Sequence, residues 1–229
     1  MKRPFFYLFL LILGCGHKQS TGYIAATDVV NKTEELKKEN FGWVSLKDRV
    51  RVDGYTRIDS IIFCGEVSCN VKPMTGIDTA SFQVWAGSDY ARDREKVYYP
   101  RQVSCIDYTD CGVCYCSEYI VESANPNTFK YLSKEYATDG SKVYFRGELM
   151  EGADGATFKV IDGPEFFFFA TDKDRVYKHD QIFTDADPRS FYHDKQDERN
   201  NEYTYIISDK DNKWEFTPPN TIKKIEKKN

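Results

Sequence analysis

The sequence predicts a mainly β protein: tandem antiparallel β-hairpin repeats with short helical turns, and disulfide-stapled loops in the first half. Three observations predict it. The stretch Tyr136-Ala137-Thr138-Asp139-Gly140-Ser141-Lys142-Val143-Tyr144-Phe145 returns as Tyr90-Ala91-Arg92-Asp93 with Val97-Tyr98-Tyr99, and as Phe169-Ala170-Thr171-Asp172 with Val176-Tyr177. It returns in altered form as Ile206-Ile207-Ser208-Asp209 with Lys213-Trp214. Between these hairpins a second pattern recurs, in which an Asx residue is followed by Ser or Thr and then Phe. Six cysteines occupy two insertions that align with each other. With 41% apolar and 15% aromatic residues in 229, the chain has the material for a buried core. Its formal charge of −4 argues against nucleic acid as a partner.

Taken in order, residues 1–14 resemble a bacterial lipoprotein signal peptide. Lys2 and Arg3 give a charged start, and Phe5 to Leu13 form an apolar run too short to span a bilayer. Ile12-Leu13-Gly14-Cys15 looks like the lipobox of that family. The resemblance implies cleavage before Cys15, diacylglycerol on its sulfur and an acyl chain such as palmitate on the new amine. The chain would then be anchored in the lipid bilayer by several chains, where one alone would hold only marginally. Gly16 stands where the enterobacterial inner-membrane retention signal has Asp, so the expected location is the outer membrane of the cell envelope. The competing reading is a plain secretory signal in which Cys15 is incidental. Residues 15–40 read as the lipidated Cys, a polar tether and a short helix, with Val29, Val30, Thr33 and Leu36 at near-helical spacing.

The repeat domain is expected over 41–216. Each copy reads as strand, turn, strand: an aromatic-plus-small pair enters, and a β-branched-plus-aromatic pair leaves. An Asp at the first turn position can accept backbone N–H groups two residues on, which makes a structural role more natural than a chemical one. A further copy is read upstream, with Trp43-Val44 entering and Lys47-Asp48-Arg49-Val50 in the turn. Val50 to Val97 and Phe82 to Phe129 both span 47 residues, and the later units are shorter. Repeats of this size mark stacked units, each too small to bury its own face.

The insertions carry every cysteine except Cys15. Cys64 and Cys69 align with Cys111 and Cys116, while Cys105 and Cys114 fall where the first insertion has Ile58 and Val67. Six thiols in an exported chain favour three disulfides. The alignment suggests Cys64–Cys69 and Cys111–Cys116 as equivalent staples and Cys105–Cys114 as a pair gained together. A zinc site drawn from Cys111, Cys114, Cys116 and the Cys64/Cys69 pair is the alternative, disfavoured by the export signal and the missing His.

Asp78-Thr79-Ala80-Ser81-Phe82, Asn125-Pro126-Asn127-Thr128-Phe129, Asp154-Gly155-Ala156-Thr157-Phe158 and Asp187-Pro188-Arg189-Ser190-Phe191 predict one helical turn each, with the Phe dropping into the core. Together with Asp93 to Tyr99, Asp139 to Phe145 and Asp172 to Tyr177, these turns resemble the DKNYY family over about 82–216. The resemblance implies β-rich repeats in exported bacterial proteins and assigns no activity.

Other local features assign no site. Asp172-x-Asp174 and Asp209-x-Asp211 lack the later donors of a calcium loop. His179 and His193 have no nucleophile at a recognisable elbow. Phe166 to Phe169 reads as a strand covered on both faces. Residues 217–229, with Pro218-Pro219 and a Lys cluster, read as a basic solvated tail. No catalytic residue, metal or cofactor is assigned. The expected function is a non-catalytic binding or structural module whose Tyr-rich faces meet an envelope protein or glycan. The alternatives are a carbohydrate-active enzyme with an acidic pair and a metal- or redox-responsive protein using the cysteine loops.

Overall fold

The computed structural model describes residues 28–39, 42–65, 73–104, 113–117, 120–197 and 203–225, with main chain only for 37–39, 101–104 and 113–117. The signal peptide, Cys15 and the expected tether lie outside the described residues. Apart from one helix, α1 (Thr33–Glu39), the regular structure is β. Sheet I holds β1 (Val30–Asn31), β3 (Val50–Val52), β4 (Tyr55–Ile58) and β5 (Ile61–Cys64). Sheet II holds β2 (Trp43–Ser45), β6 (Gln83–Trp85), β7 (Ala91–Arg92) and β8 (Val97–Tyr98). A two-stranded ribbon follows, β9 (Arg101–Ser104) with β10 (Val113–Ser117). Sheet III holds β11 (Lys130–Ser133), β12 (Tyr136–Thr138), β13 (Val143–Phe145) and β14 (Glu148–Leu149). Sheet IV holds β15 (Lys159–Val160), β16 (Phe169–Thr171), β17 (Val176–Lys178) and β18 (Gln181–Ile182). Sheet V holds β19 (Tyr192–His193), β20 (Tyr205–Ser208), β21 (Lys213–Thr217) and β22 (Thr221–Ile225).

Sheets III, IV and V are consecutive antiparallel meanders with the repeated hairpin as their two middle strands. The register is the same in the first two. Thr138 faces Val143 as Thr171 faces Val176, and Ala137 faces Tyr144 as Ala170 faces Tyr177. One apolar core joins each sheet to the next. Tyr55, Phe82 and Tyr98 fill the core between I and II, and Tyr90, Phe129 and Tyr144 the next. Tyr136, Phe158 and Tyr177 fill the third, and Phe169, Phe191 and Trp214 the last. The residues expected in the core are all there: Tyr90, Val97, Tyr136, Val143, Phe169, Val176, Phe82, Phe129, Phe158 and Phe191 are at most 8% exposed. Leu36 of α1 packs against the first core.

The upstream copy is built differently from expectation. β2 and β3 do not form a hairpin: β2 pairs with β6, Trp43 opposite Trp85, and β3 pairs with β1 and β4. The cause is Trp43. Its ring meets Trp85 edge-on at 5.2 Å and Phe129 at 6.5 Å, which draws its strand into sheet II. β3 and β4 instead close on Asp53-Gly54, with Asp53 at φ +49.

The tail reading is also corrected. Pro218, Pro219 and Asn220 form a turn, and the chain returns as β22, paired with β21 from Thr217/Thr221 to Lys213/Ile225. Ile222 packs on the last core, so the segment gains both ladder bonds and apolar burial. In the phenylalanine run only Phe169 belongs to a strand. Phe166 is 62% exposed, while Phe167 is buried and its amide bonds the Pro164 carbonyl at 3.0 Å. This bend brings the Phe167 ring against Gly163, where a Cβ would lie 2.6 Å from it.

The Thr-Phe turns are closed by main-chain bonds from Ser81, Thr128, Thr157 and Ser190 to the Asx carbonyl three residues before, at 3.2–3.3 Å. No helix is assigned at any of them. Among the described residues no helix is long and apolar enough to cross a membrane.

Candidate functional site

The four repeated aspartates share one arrangement. Asp172 is 6% exposed. Its Oδ1 accepts the N–H groups of Asp174 and Arg175, each at 2.8 Å. Its Oδ2 accepts the Tyr177 hydroxyl at 2.7 Å and the N–H of Asp154, in the turn before β15, at 3.1 Å. Asp93 repeats this with Glu95, Lys96, Tyr98 and the amide of Asp78. Asp139 does so with Ser141, Lys142, Tyr144 and the amide of Asn125. Asp209 bonds Asp211, Asn212 and the amide of Asp187. Trp214 stands in its Tyr slot and has no hydroxyl to donate. Each carboxylate thus ties the hairpin turn to the loop that enters the unit's first strand.

A second tier supports three of these clamps. The Thr157 hydroxyl donates to Asp154 at 3.1 Å and accepts the Lys173 N–H at 3.1 Å. Ser81 and Ser190 do the same for Asp78 with Arg94 and for Asp187 with Lys210. Ion pairs Arg94–Asp78, Lys173–Asp154 and Lys210–Asp187 close the circuit. In sheet III, Asn125 and Gly140 occupy the positions of that pair.

Burial by itself raises the carboxyls of Asp93, Asp139, Asp172 and Asp209, but the donors around each outweigh it and hold all four below the ordinary carboxylate range. The Tyr177 hydroxyl, buried and donating to Asp172, is pushed up to about 12. Each of these buried carboxylates accepts three main-chain N–H groups and at least one side-chain donor. The expectation that they are structural is met, while the tyrosine donor and the link to the upstream turn were not foreseen.

A second set of tyrosines joins sheet to sheet. The Tyr55 hydroxyl donates to the Asp89 carbonyl at 2.8 Å. Tyr90 donates to the Glu135 carbonyl and accepts the Gly147 N–H. Tyr136 reaches the carbonyls of Phe168 and His179 at 3.0 and 2.8 Å. The Tyr-rich faces expected to bind a partner are therefore interior. Tyr55, Tyr90, Tyr98, Tyr136, Tyr144 and Tyr177 are at most 2% exposed.

The open space lies elsewhere. β15 and β19 are the first, outer strands of sheets IV and V. Beside them is a cavity of about 870 Å³ whose lining includes Lys159, Asp162, Lys173, Arg189, Tyr192 and Lys195. Lys195 pairs with Asp162 across it, and Tyr192 is 47% exposed. His193, also in the lining, packs its ring 4.9 Å from Phe167 and 5.8 Å from Tyr205. Neither ring nitrogen has a hydrogen-bond partner among the described residues. Burial holds this imidazole below its ordinary value, and the Lys195 charge adds to the effect. Sequence reasoning missed this site. A smaller apolar cavity of about 280 Å³ is lined by Phe166, Phe168, His179, Pro218 and Pro219. His179 is a turn residue at φ +56, its ring tilted against Phe145 and Phe168 at 5.6 and 5.1 Å.

Of the predicted cysteines, Cys64 ends β5, is 2% exposed and is disulfide-bonded. Cys114 and Cys116 have described main chain on β10, and Cys69, Cys105 and Cys111 lie outside the described residues. Cys64 stands opposite Tyr55, and 47 residues on, Gln102 stands opposite Cys116. Cys116, not Cys111, is thus the strand counterpart of Cys64, because the second ribbon has a longer loop and a bulge at Cys114. Among the described residues no cluster of His, Cys, Asp or Glu is placed to hold a metal ion.

Compared with known proteins, residues 107–181 match the model of the DKNYY family. No curated protein and no solved structure matches the chain. The clamps at Asp93 and Asp209 carry the same geometry beyond both ends of the matched segment.

Asp172→Ala strips the acceptor from three amides and a buried hydroxyl and is expected to cost about 3 kcal/mol or more. Asp174→Ala, at an exposed position of the same turn, should stay within about 0.5 kcal/mol. Equal urea midpoints for the two variants would remove the clamp from the stability of the fold. Because the folded carboxyls titrate below their unfolded value of about 3.9, their contribution is complete above that pH and is lost as the pH falls through the folded values. Unfolding free energy should therefore begin to drop below about pH 4, and drop less in Asp172→Ala, as read by urea titration at successive pH values.

Proposed function

Starting from residues 107–181 as a DKNYY-family segment, we propose that this chain is an envelope-anchored bacterial lipoprotein whose sheet stack is a non-catalytic binding or structural module. The carrying observation is the state of the repeated carboxylates. They are the acids the fold places most regularly, and each is consumed by internal donors. A stack of this kind is a scaffold, and its function falls to the surfaces and loops it displays. With the repeat tyrosines turned inward, the partner, an envelope protein or glycan, meets the chain at the open groove beside β15 and β19 or at the cysteine ribbons.

Cys15 is the proposed anchor, supported by the lipobox resemblance and placing the domain at the outer membrane. Cys15→Ala should lose incorporated palmitate label and move from the detergent phase to the aqueous phase on cloud-point partitioning. A variant that keeps both label and detergent partitioning overturns the anchor.

The cysteine loops are proposed to be stapled as Cys64–Cys69, Cys105–Cys114 and Cys111–Cys116. The disulfide state of Cys64 supports the first. The second rests on the alignment of the two insertions, in which Cys105 and Cys114 together replace Ile58 and Val67. The third requires the chain before Val113 to fold back along β10. Non-reducing peptide mapping should recover these three pairs, and a Cys64–Cys111 peptide would overturn the scheme.

A further inference from the structure

The last repeat departs from the others at two positions that its architecture leaves free. In the turn before the first strand, the residue two after the Asx is Ala80, Asn127 and Ala156 in the earlier copies and Arg189 in the last. The residue after the buried Phe is Gln83, Lys130 and Lys159 in the earlier copies and Tyr192 in the last. The side chains of Arg189 and Tyr192 enter neither the clamp nor the core, since the neighbouring Asp187, Ser190 and Phe191 carry those contacts. Both replacements line the same cavity.

That cavity has a charge opposite to the chain as a whole. Its lining holds four cations, Lys159, Lys173, Arg189 and Lys195, against the two carboxylates Asp162 and Asp172, while the full sequence carries −4. Asp172 is already saturated by four internal donors. Lys173 and Lys195 are paired with Asp154 and Asp162. Lys159 and Arg189 are exposed and have no ion-pair partner among the described residues. Tyr192 adds a half-exposed ring beside them.

We propose that this groove binds an anionic glycan, with Tyr192 stacking on the apolar face of a sugar ring and Arg189 and Lys159 holding its carboxylate or phosphate groups. The proposal rests on the binding-module reading and names its ligand class. A sugar ring needs an aromatic face, and its acid group needs a planar fork or an ammonium; Tyr192, Arg189 and Lys159 supply these. An acidic peptide is the less suited occupant. The bordering strands β15 and β19 are two residues long each and offer little ladder for an added strand. The volume of about 870 Å³ suits a few sugar units and lies within the ordinary range of ligand cavities.

The test is calorimetric titration of the full chain in detergent with oligogalacturonate, neutral maltooligosaccharide, oligoglutamate and inorganic phosphate. Binding of oligogalacturonate that weakens with added salt, with no binding of the neutral sugar, is expected. Arg189→Glu and Lys159→Glu should each weaken it about tenfold or more, and Tyr192→Ala should weaken it comparably, with circular dichroism unchanged. Oligoglutamate or phosphate binding as tightly as oligogalacturonate overturns the glycan assignment. Oligogalacturonate binding that is indifferent to all three substitutions overturns the groove while leaving the binding-module reading intact. Failure of every probe to bind overturns the ligand class.

Discussion

A carboxylate taken out of water is tolerated only when hydrogen bonds replace its hydration, and this fold depends on meeting that condition four times. Asp93, Asp139, Asp172 and Asp209 are each at most 7% exposed and each accepts at least three main-chain N–H groups. A buried charge without such donors would cost several kcal/mol, so the saturated site specifies the surrounding turns. One oxygen fixes the hairpin turn locally, and the other fixes a turn that lies 14–22 residues upstream. The side chain therefore does the work of a local cap and a long-range clip together. In three of the four units the donor tyrosine accounts for the aromatic that follows the β-branched residue of the motif: its ring fills the core while its hydroxyl reaches the carboxylate.

Between units, the coupling changes character along the stack. Tyr55, Tyr90 and Tyr136 each carry a hydroxyl across to a main-chain group of the next sheet. Phe169 holds the equivalent place in sheet IV and has none; its ring meets Phe216 at 5.1 Å and Phe191 at 5.6 Å, and the polar links to sheet V pass instead through Lys178 to Asn220 and Asp162 to Lys195. Nearest-neighbour packing of this kind lets the chain vary one unit without disturbing the rest. The fourth clamp shows that freedom, with Trp214 filling the core and Asn212 standing in as a further donor to Asp209.

The same freedom accounts for the groove. Once the Asx, the Ser or Thr and the Phe of a connecting turn are committed to clamp and core, the side chain two residues after the Asx is left exposed in all four copies, as Ala80, Asn127, Ala156 and Arg189. Ala156 and Arg189 occupy equivalent places in consecutive turns that satisfy the same bonds. Charge can therefore accumulate at one junction of an acidic chain without cost to its architecture.

The sequence by itself determined the β class, the hairpins of the four Asp-bearing units, the buried Tyr90, Tyr136, Phe and Val positions and the structural role of the repeated Asp. All of these follow from local spacing, turn chemistry and alternation, which act over a few residues. Only the tertiary structure decided where Trp43 and its strand go, that Thr221–Ile225 returns as a strand, that the hydroxyls of Tyr98, Tyr144 and Tyr177 close on the buried carboxylates, and that Cys116 is the strand counterpart of Cys64. It alone brought Arg189, Tyr192 and Lys159 to one groove. Those outcomes depend on which surfaces meet once sheets stack, on a ring finding another ring or a hydroxyl finding a distant carbonyl. Spacing along the chain carries no record of that choice, except where one repeat breaks the pattern of its neighbours.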